Sequence, residues 1–437
     1  MSVQNRRVVI TGMGLVSPLG NNTESLWKSL TSGTSGVDVL QRVPADHFPT
    51  DIGGECSEFS GNIADFGEQE KILKRNIKKS LRLMCREIQM GVAAAQFAFA
   101  DSGLTKEHYD PSRIGTMFGS DYIVSSPAEF ANGMRECLTD EGDFDFDRWA
   151  ENGLPKVEPT WLLKYLPNMP ASHVAILNDL QGPSNSLTIR EASANMAIAE
   201  ALTIIRRGSA DAMIVGATGS RIHPLRTVHM VMQEVLADRN FDAAGGDPTK
   251  ACRPFEASRA GMVLGEGSGA LVLEDLESAQ KRGATIVAEI TGYGSSLVMD
   301  GDGKPNYQTS IANVIEGTLE TSGMNVADIG HVHAHGLSSV GMDAQEAQAI
   351  REKLGETPVT AAKSYMGNLG AGSGMVELIS SVLSLQNDQL FPILNYDSPA
   401  EDCPINGVRE ACSPGKSFVN LNVTLQGQAS AVSVAAV

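Results

Sequence analysis

Apolar residues along this chain fall into two kinds of run. Val8 to Met13, Ala212 to Gly216, Gly269 to Leu273 and Val419 to Val423 are short, nearly continuous and rich in β-branched or aliphatic side chains, the pattern of buried strands. Met90 to Ala98 and Met196 to Ile205 are longer, carry residues of high helical propensity and arrange their apolar positions in stripes. Strand-length runs alternating with helix-patterned ones predict a layered α/β protein with much of its sheet covered on both faces. The sequence shows no clear internal repeat.

Two segments break the pattern. Lys71, Lys74, Arg75, Lys78 and Arg82 recur at intervals of three and four, which predicts one cationic helical face with Ile72, Leu73 and Ile77 turned inward. A solvated helix surface is the plain alternative to a docking face. Thr139 to Trp149 is acidic with interleaved aromatics, and Glu136 to Pro167 reads as a peripheral excursion near the active-site rim or a dimer face. Its carboxylates lack the twelve-residue ligand pattern and closing glutamate of an EF-hand, so a surface loop is expected rather than a calcium site.

Composition narrows the class. The 437 residues, 42% hydrophobic with 44 glycines, suffice for one or two large cores with many tight turns. No apolar run approaches the roughly 20 residues of a membrane span, and no basic-then-apolar leader opens the chain, so a cytosolic location is the default expectation. Six scattered cysteines suggest neither a disulfide framework nor a zinc site. The net charge of −18 argues against nucleic-acid binding, which needs a cationic face.

Ordered motifs run nearly end to end: Arg6 to Gly20, Gly182 to Asn195, Cys252-Arg253-Pro254-Phe255-Glu256, Gly265-Glu266-Gly267-Ser268-Gly269, His335-Gly336-Leu337-Ser338-Ser339 and Lys363 to Gly370. Together they resemble the β-ketoacyl carrier-protein synthases of the elongating type. The resemblance implies the thiolase fold, two similar layered α/β halves, here divided as 1–253 and 254–437, meeting near Thr249 to Phe255 after the polar stretch Asp238 to Pro248. It also implies an acyl carrier protein with a phosphopantetheine-linked chain as partner, and a homodimer or a heterodimer with an active ketosynthase. Carrier proteins are acidic, so on an acidic chain the docking face must be locally basic; Lys71, Lys74, Arg75 and Lys78 are the candidates.

In the resembled enzymes a cysteine at a helix N-terminus takes the acyl group, two histidines promote malonyl decarboxylation and a lysine organises the site. Matched by position, Glu191 stands for the cysteine, His335 for the first histidine, Lys363 for the lysine and Asn368 for the second histidine, with Glu346 as the accompanying acid. Leu337 replaces a threonine expected against the pantetheine arm, while Ser339 keeps a hydroxyl, and Ala260 replaces an aspartate. The glycine-rich gating loop aligns with Val423 to Gln428, including Leu425, and keeps only Gly427, which predicts a stiffer loop.

A carboxylate cannot hold an acyl chain as a thioester. Glu191 therefore reads as a plug accepting hydrogen bonds from helix N-terminal amides, with His335 or Lys363 as further partners, or alternatively as a general acid, base or carboxylate mimic. Separately, His331, His333 and His335 alternate and would share one face of an extended segment, a pattern that can supply metal ligands, although no third ligand motif accompanies it. His173, His223 and His229 carry no motif and read as structural or surface residues. Three functions are thus in view: a noncondensing homologue resembling chain-length-factor subunits and shaping an acyl pocket, a malonyl carrier-protein decarboxylase or other acyl carrier-protein enzyme using His335, Asn368 and Lys363, and, more remotely, a metal-dependent hydrolase. No cofactor is implied.

Overall fold

The computed structural model describes residues 6–43, 48, 50–105, 107–233, 235–237 and 245–437. Residues 238–244, most of the expected polar connection, lie outside the described residues.

Ten of the strands among the described residues build the frame. In chain order they are β1 (Val8–Val16), β2 (Ile114–Ser120), β3 (Ser184–Thr188), β4 (Ala212–Ser220), β5 (Leu264–Asp275), β6 (Ala288–Leu297), β7 (His331–His333), β8 (Pro358–Thr360), β9 (Ser417–Val423) and β10 (Gln428–Ala435). Each strand-like run of the sequence falls inside one of them. Across the sheet the first five lie in the order β3-β2-β4-β5-β1 and the last five in the order β8-β7-β9-β10-β6. These are the same arrangement twice. The pairings agree as well, with parallel contacts among β2, β3 and β4 as among β7, β8 and β9, and antiparallel contacts elsewhere in each set. The sets join where β1 pairs with β6, Val8 opposite Ile290 and Ile10 opposite Ala288.

This repeat gives the two similar halves that the resemblance implies. A repeat exists although the residues show none, because strand order is kept by pairing and burial rather than by identity. The expected division after residue 253 would also leave β5 with the second half. Its pairing with β1 and β4 groups it with the first, so the strand order changes over between Asp275 and Ala288.

Helices cover the sheet. Here α1 is Lys71–Ser80, α2 Arg86–Asp101, α3 Met169–Asn178, α4 Ser193–Arg206, α5 Pro224–Gln233, α6 Tyr307–Ser322, α7 Val340–Leu354 and α8 Ser373–Gln386. Helix α2 lies on β1 so closely that a Cβ on Gly12 or Gly14 would sit 2.4 or 2.3 Å from a helix carbonyl, a distance only glycine permits. Helices α4 and α8 pack on one another and on strands of both sets. Each starts from the same local device, for Ile189 N–H donates to Ser193 Oγ at 2.8 Å and Leu369 N–H to Ser373 Oγ at 2.9 Å. The candidate site forms where these two helix starts converge.

In α1, Lys71, Lys74, Arg75 and Lys78 are exposed and Ile77 is buried. Ile72 does not turn inward as expected but is 74% exposed, since it shares the helix's outer face with the lysines. The excursion 136–167 forms short turns with Phe144 and Phe146 exposed.

Candidate active site

Glu191 lies on the turn Arg190–Ala192 between β3 and α4, where the backbone bends through a positive φ of 51° at Arg190. Left-handed geometry at a non-glycine residue costs energy and recurs at sharp functional turns. The Glu191 side chain is 2% exposed. Its Oε1 accepts from an Arg221 guanidinium nitrogen and, at 3.1 Å, from Asn368 Nδ2. Burial alone would raise this carboxyl, but Arg221 above all, with hydrogen bonds from its own backbone amide and from Asn368, brings it down to about 2, so it is ionised. Of the partners expected from sequence, backbone amides with His335 or Lys363 as further ones, the Glu191 amide contributes; the principal partner is Arg221, which the sequence did not point to, because a buried carboxylate is neutralised best by a buried cation.

Arg221 is completely buried and carries the charge onward. It pairs with Asp121 at 3.0 Å, Asp121 also accepts from Arg226, and Arg226 donates to Glu87 Oε1 at 3.0 Å. The chain Glu191, Arg221, Asp121, Arg226, Glu87 thus runs through the interior beside the site, with three carboxylates on two guanidinia. Burial pushes Glu87, the far end, up to about 7 despite Arg226.

On the other side of the site, Lys363 Nζ is 3.1 Å from His335 Nδ1 and also donates to Glu377. Because Nδ1 accepts from the lysine, the His335 proton belongs on Nε2. Burial and the neighbouring Lys363 hold this imidazole neutral, well below the usual histidine range. Glu377 accepts in turn from Asn422 at 2.7 Å, and Asn422 from Asn195 of α4 at 3.0 Å. The Asn368 amide is oriented by its neighbours: Oδ1 accepts from Gly370 N–H at 3.0 Å and Ser373 Oγ at 3.2 Å, which turns Nδ2 toward Glu191.

Two carboxylates shape the loop after β7. Glu346 accepts from the His335 and Gly336 amides at 2.6 and 2.9 Å. Asp343 accepts from the amides of Leu337, Ser338, Ser339 and Phe255, all at 3.0–3.2 Å. Burial raises Asp343 to about 6 and Glu346 to about 8. Leu337 and Ser339 are therefore fixed through their backbones and buried. Leu425 stands on the β9–β10 turn, where its carbonyl accepts from Tyr307 Oη at 2.7 Å and Gly427 N–H closes on Thr424 at 2.9 Å.

The alternating histidines do not converge. His333 Nε2 accepts from Ala362 N–H at 3.1 Å, so its Nδ1–H donates to Ser381 Oγ at 2.8 Å. Ser381 then donates to His331 Nε2 at 3.0 Å, and His331 Nδ1–H ends on the Pro414 carbonyl at 2.8 Å. Both rings are spent on this chain, while His335, beyond the strand, serves Lys363. Among the described residues no group of three or more His, Cys, Asp or Glu could hold a metal ion, which removes the support for a hydrolase metal centre.

The carboxylates and cations that organise the site were largely missed from sequence. Asp343 carried a usable signal, an acid in the first turn of a helix. Arg221, Asp121 and Arg226 sit at the ends of apolar strands or at a helix start, where a charge ordinarily faces solvent.

Residues 5–279 match the family profile described as the β-ketoacyl synthase N-terminal domain, and residues 287–397 match the C-terminal domain. The chain belongs to the β-ketoacyl synthase family. It is 33% identical to the 3-oxoacyl-[acyl-carrier-protein] synthase 2 of Staphylococcus aureus (strain COL) over 414 residues, 92% of this chain and 91% of that one. Its fold is similar to a chain of the AntDE:AntF complex, a type II PKS acyl-carrier protein in complex with its ketosynthase, with TM-score 0.80, 25% identity and coverage of 99% and 100%. It is likewise similar to the ishigamide ketosynthase/chain length factor, with TM-score 0.82, 23% identity and coverage of 99% and 100%. This β-ketoacyl synthase homologue has the two-part thiolase-like fold, but no cysteine on the turn that starts α4. Cys252 is tied by its thiol to the Lys363 carbonyl at 3.0 Å, and burial pushes it up to about 12, so it is no substitute nucleophile. No helix among the described residues is long and apolar enough to cross a membrane.

Proposed function

We propose that this chain is a noncondensing β-ketoacyl synthase homologue of fatty acid or polyketide biosynthesis. It acts in the manner of a chain-length factor beside an active ketosynthase, and acyl carrier protein is their shared partner in the cytosol. In this reading Glu191 replaces the family's nucleophilic cysteine, and His335, Lys363 and Asn368 are remnants of the condensing set. The observation that carries it is the buried, ionised Glu191 carboxylate locked between Arg221 and Asn368. An ionised carboxylate in that lock has no thiol chemistry, and attack on a thioester would give a hydrolysable anhydride rather than a stable acyl-enzyme. The interior beside it is taken up by Arg221, Asp121 and Arg226. An acyl pocket shaped by this chain therefore lies at its face with a partner and not behind Glu191.

The open edge of β3 supports a paired assembly. Ser184, Asn185 and Thr188 are exposed there, and α3, which packs on β3, leaves Ile176 74% exposed. Exposed strand edges beside apolar side chains are sites of strand pairing between chains. Co-expression with ketosynthases of the same source, followed by purification, tests the reading. A stable heterodimer whose product length depends on this chain supports it. Formation of both a covalent acyl-enzyme and a ketoacyl product by the pure chain overturns it.

The malonyl carrier-protein decarboxylase is the second reading, favoured by the intact Lys363–His335 hydrogen bond and the neutral imidazole with its proton on Nε2. That proton could stabilise an enolate oxygen. Carbon dioxide release from malonyl carrier protein, abolished by His335→Ala, would establish it.

A further inference from the structure

Two surfaces of opposite charge stand apart from the site. Helix α1 presents Lys71, Lys74, Arg75, Lys78 and Lys79 to solvent, with Ile72 74% exposed among them. None of these cations is held in an ion pair among the described residues. The second surface is in the excursion, where residues 137–145 form a closed hairpin. Leu138 and Phe144 pair antiparallel, Thr139 N–H donates to the Asp143 carbonyl and Asp145 N–H to the Cys137 carbonyl, both at 2.8 Å, and Cys137 is fully buried. The tip is therefore held in place rather than trailing in solvent. It carries Asp140, Glu141 and Asp143, all exposed and without an ion pair among the described residues. Phe144 and Phe146 stand beside them 42% and 75% exposed, their rings 6.4 Å apart.

Exposed aromatic rings on an ordered acidic hairpin suit a partner that is both cationic and apolar. Helix α1 has that composition. The two surfaces are neighbours on one chain, since the turn after α1, Leu81–Leu83, packs on the turn Trp161–Tyr165 of the excursion. Adjacent complementary patches become self-complementary under a two-fold axis, where the helix of each copy meets the hairpin of the other. Charge adds to this, for copies of a chain of net charge −18 repel one another unless opposite patches face each other. The excursion also ends at the open edge of β3, where Ser186 Oγ donates to the Pro167 carbonyl at 3.2 Å, so the contact is continuous with pairing through that edge.

We propose that the acidic hairpin docks on α1 of a second copy of this chain, its carboxylates against the lysines and Phe146 against Ile72. The contact takes the same cationic face that the function proposed above gives to the carrier protein, so self-association and carrier docking compete. Only this competition rests on that reading.

Two full-length variants with different tags test the docking. One carries Lys74→Glu and Lys78→Glu, the other Asp140→Lys and Asp143→Lys; all four side chains are exposed, so both variants should fold. Each variant sets like charges together when it pairs with itself, whereas in the mixed pair both contacts again join opposite charges. Co-expression and purification at low salt should therefore give mixed pairs well above the random half. If each like-charged pairing is about tenfold weaker, the mixed share rises to about nine-tenths, and equilibration in high salt returns it toward half. A carbodiimide cross-link from Lys74 or Lys78 to Asp140 or Asp143 is expected in the mixed pair, where it is necessarily between chains because neither variant holds both partners. Excess acyl carrier protein should lower the mixed share, and no effect would refute the competition alone. A wild-type chain that stays monomeric at low salt, mixed pairs at the random half, or α1 lysines that cross-link only after carrier protein is added would each overturn the docking.

Discussion

Arg221 and Glu191 form an ion pair with the two residues 0% and 2% exposed, and it is the central electrostatic fact of the site. A buried pair contributes little net stability over an apolar pair of similar shape, yet loss of one partner strands the other charge. Arg221 also serves Asp121, so its loss strands two carboxylates. Glu191 is therefore built into the fold through its ion pair.

Arg221→Leu should destabilise the protein by roughly 3–5 kcal/mol, read from urea unfolding midpoints. Arg221→Leu combined with Glu191→Leu should recover part of that loss, because one stranded charge is removed and Asp121 retains Arg226. If the double variant were no more stable than Arg221→Leu alone, the two residues would not be coupled.

Much of the fold was legible because burial writes itself into strand and helix patterns. The runs at Val8 and Ala212 fall in strands buried along their whole length, and Met196 to Ile205 falls in the buried helix α4. Motif order singled out Glu191, His335, Lys363 and Asn368, and the structure sets Asn368 against Glu191 and Lys363 against His335. Arg221 and Asp121 were not, since a lone charge at a strand end carries no periodic signal and its partner is distant in sequence. Nor was the separation of His331 and His333 from His335, which depends on Ser381 of α8 reaching both rings.

The part of the stability that Glu346 and Glu87 contribute should be larger near pH 5.5 than near pH 8.5. Glu346 and Glu87 have folded-state values raised to about 8 and about 7, so in this window the folded chain binds more protons than the unfolded one and stability falls as pH rises. Glu191 acts oppositely. Its value is lowered to about 2, so its contribution is present above the ordinary carboxylate range and is lost as pH falls toward 2. The buried neutral histidines, among them His223, His331 and His335, oppose the two glutamates below about pH 6.5, so the glutamate contribution is read as the difference between wild type and variant in chemical denaturation across pH. Glu346→Gln should flatten the alkaline limb, and an unchanged limb would refute the assignment.

Carrier-protein affinity should depend on α1. Reversing charge at Lys74 and Lys78, both exposed, should weaken binding of acyl carrier protein and reduce its sensitivity to salt, since fewer charge contacts remain to be screened. Calorimetry at low and high salt reads both effects. Equal affinity in wild type and variant would show that α1 is only a solvated surface.

Glu191→Cys should recover acyl transfer before it recovers condensation. The new thiol would stand at the start of α4 beside Arg221, and both the helix terminus and the guanidinium favour a thiolate. Asn368, which lacks an imidazole, and the tightly closed turn at Thr424 to Gln428 remain. Arg221, Asp121 and Arg226 still fill the adjacent interior, so the variant should be acylated by acetyl carrier protein far more readily than by a long-chain donor, as read by intact-protein mass spectrometry. Adding Asn368→His should raise carbon–carbon bond formation without changing the first acylation. If Glu191→Cys alone condenses at a rate typical of the family, the remaining site is intact and the noncondensing reading fails.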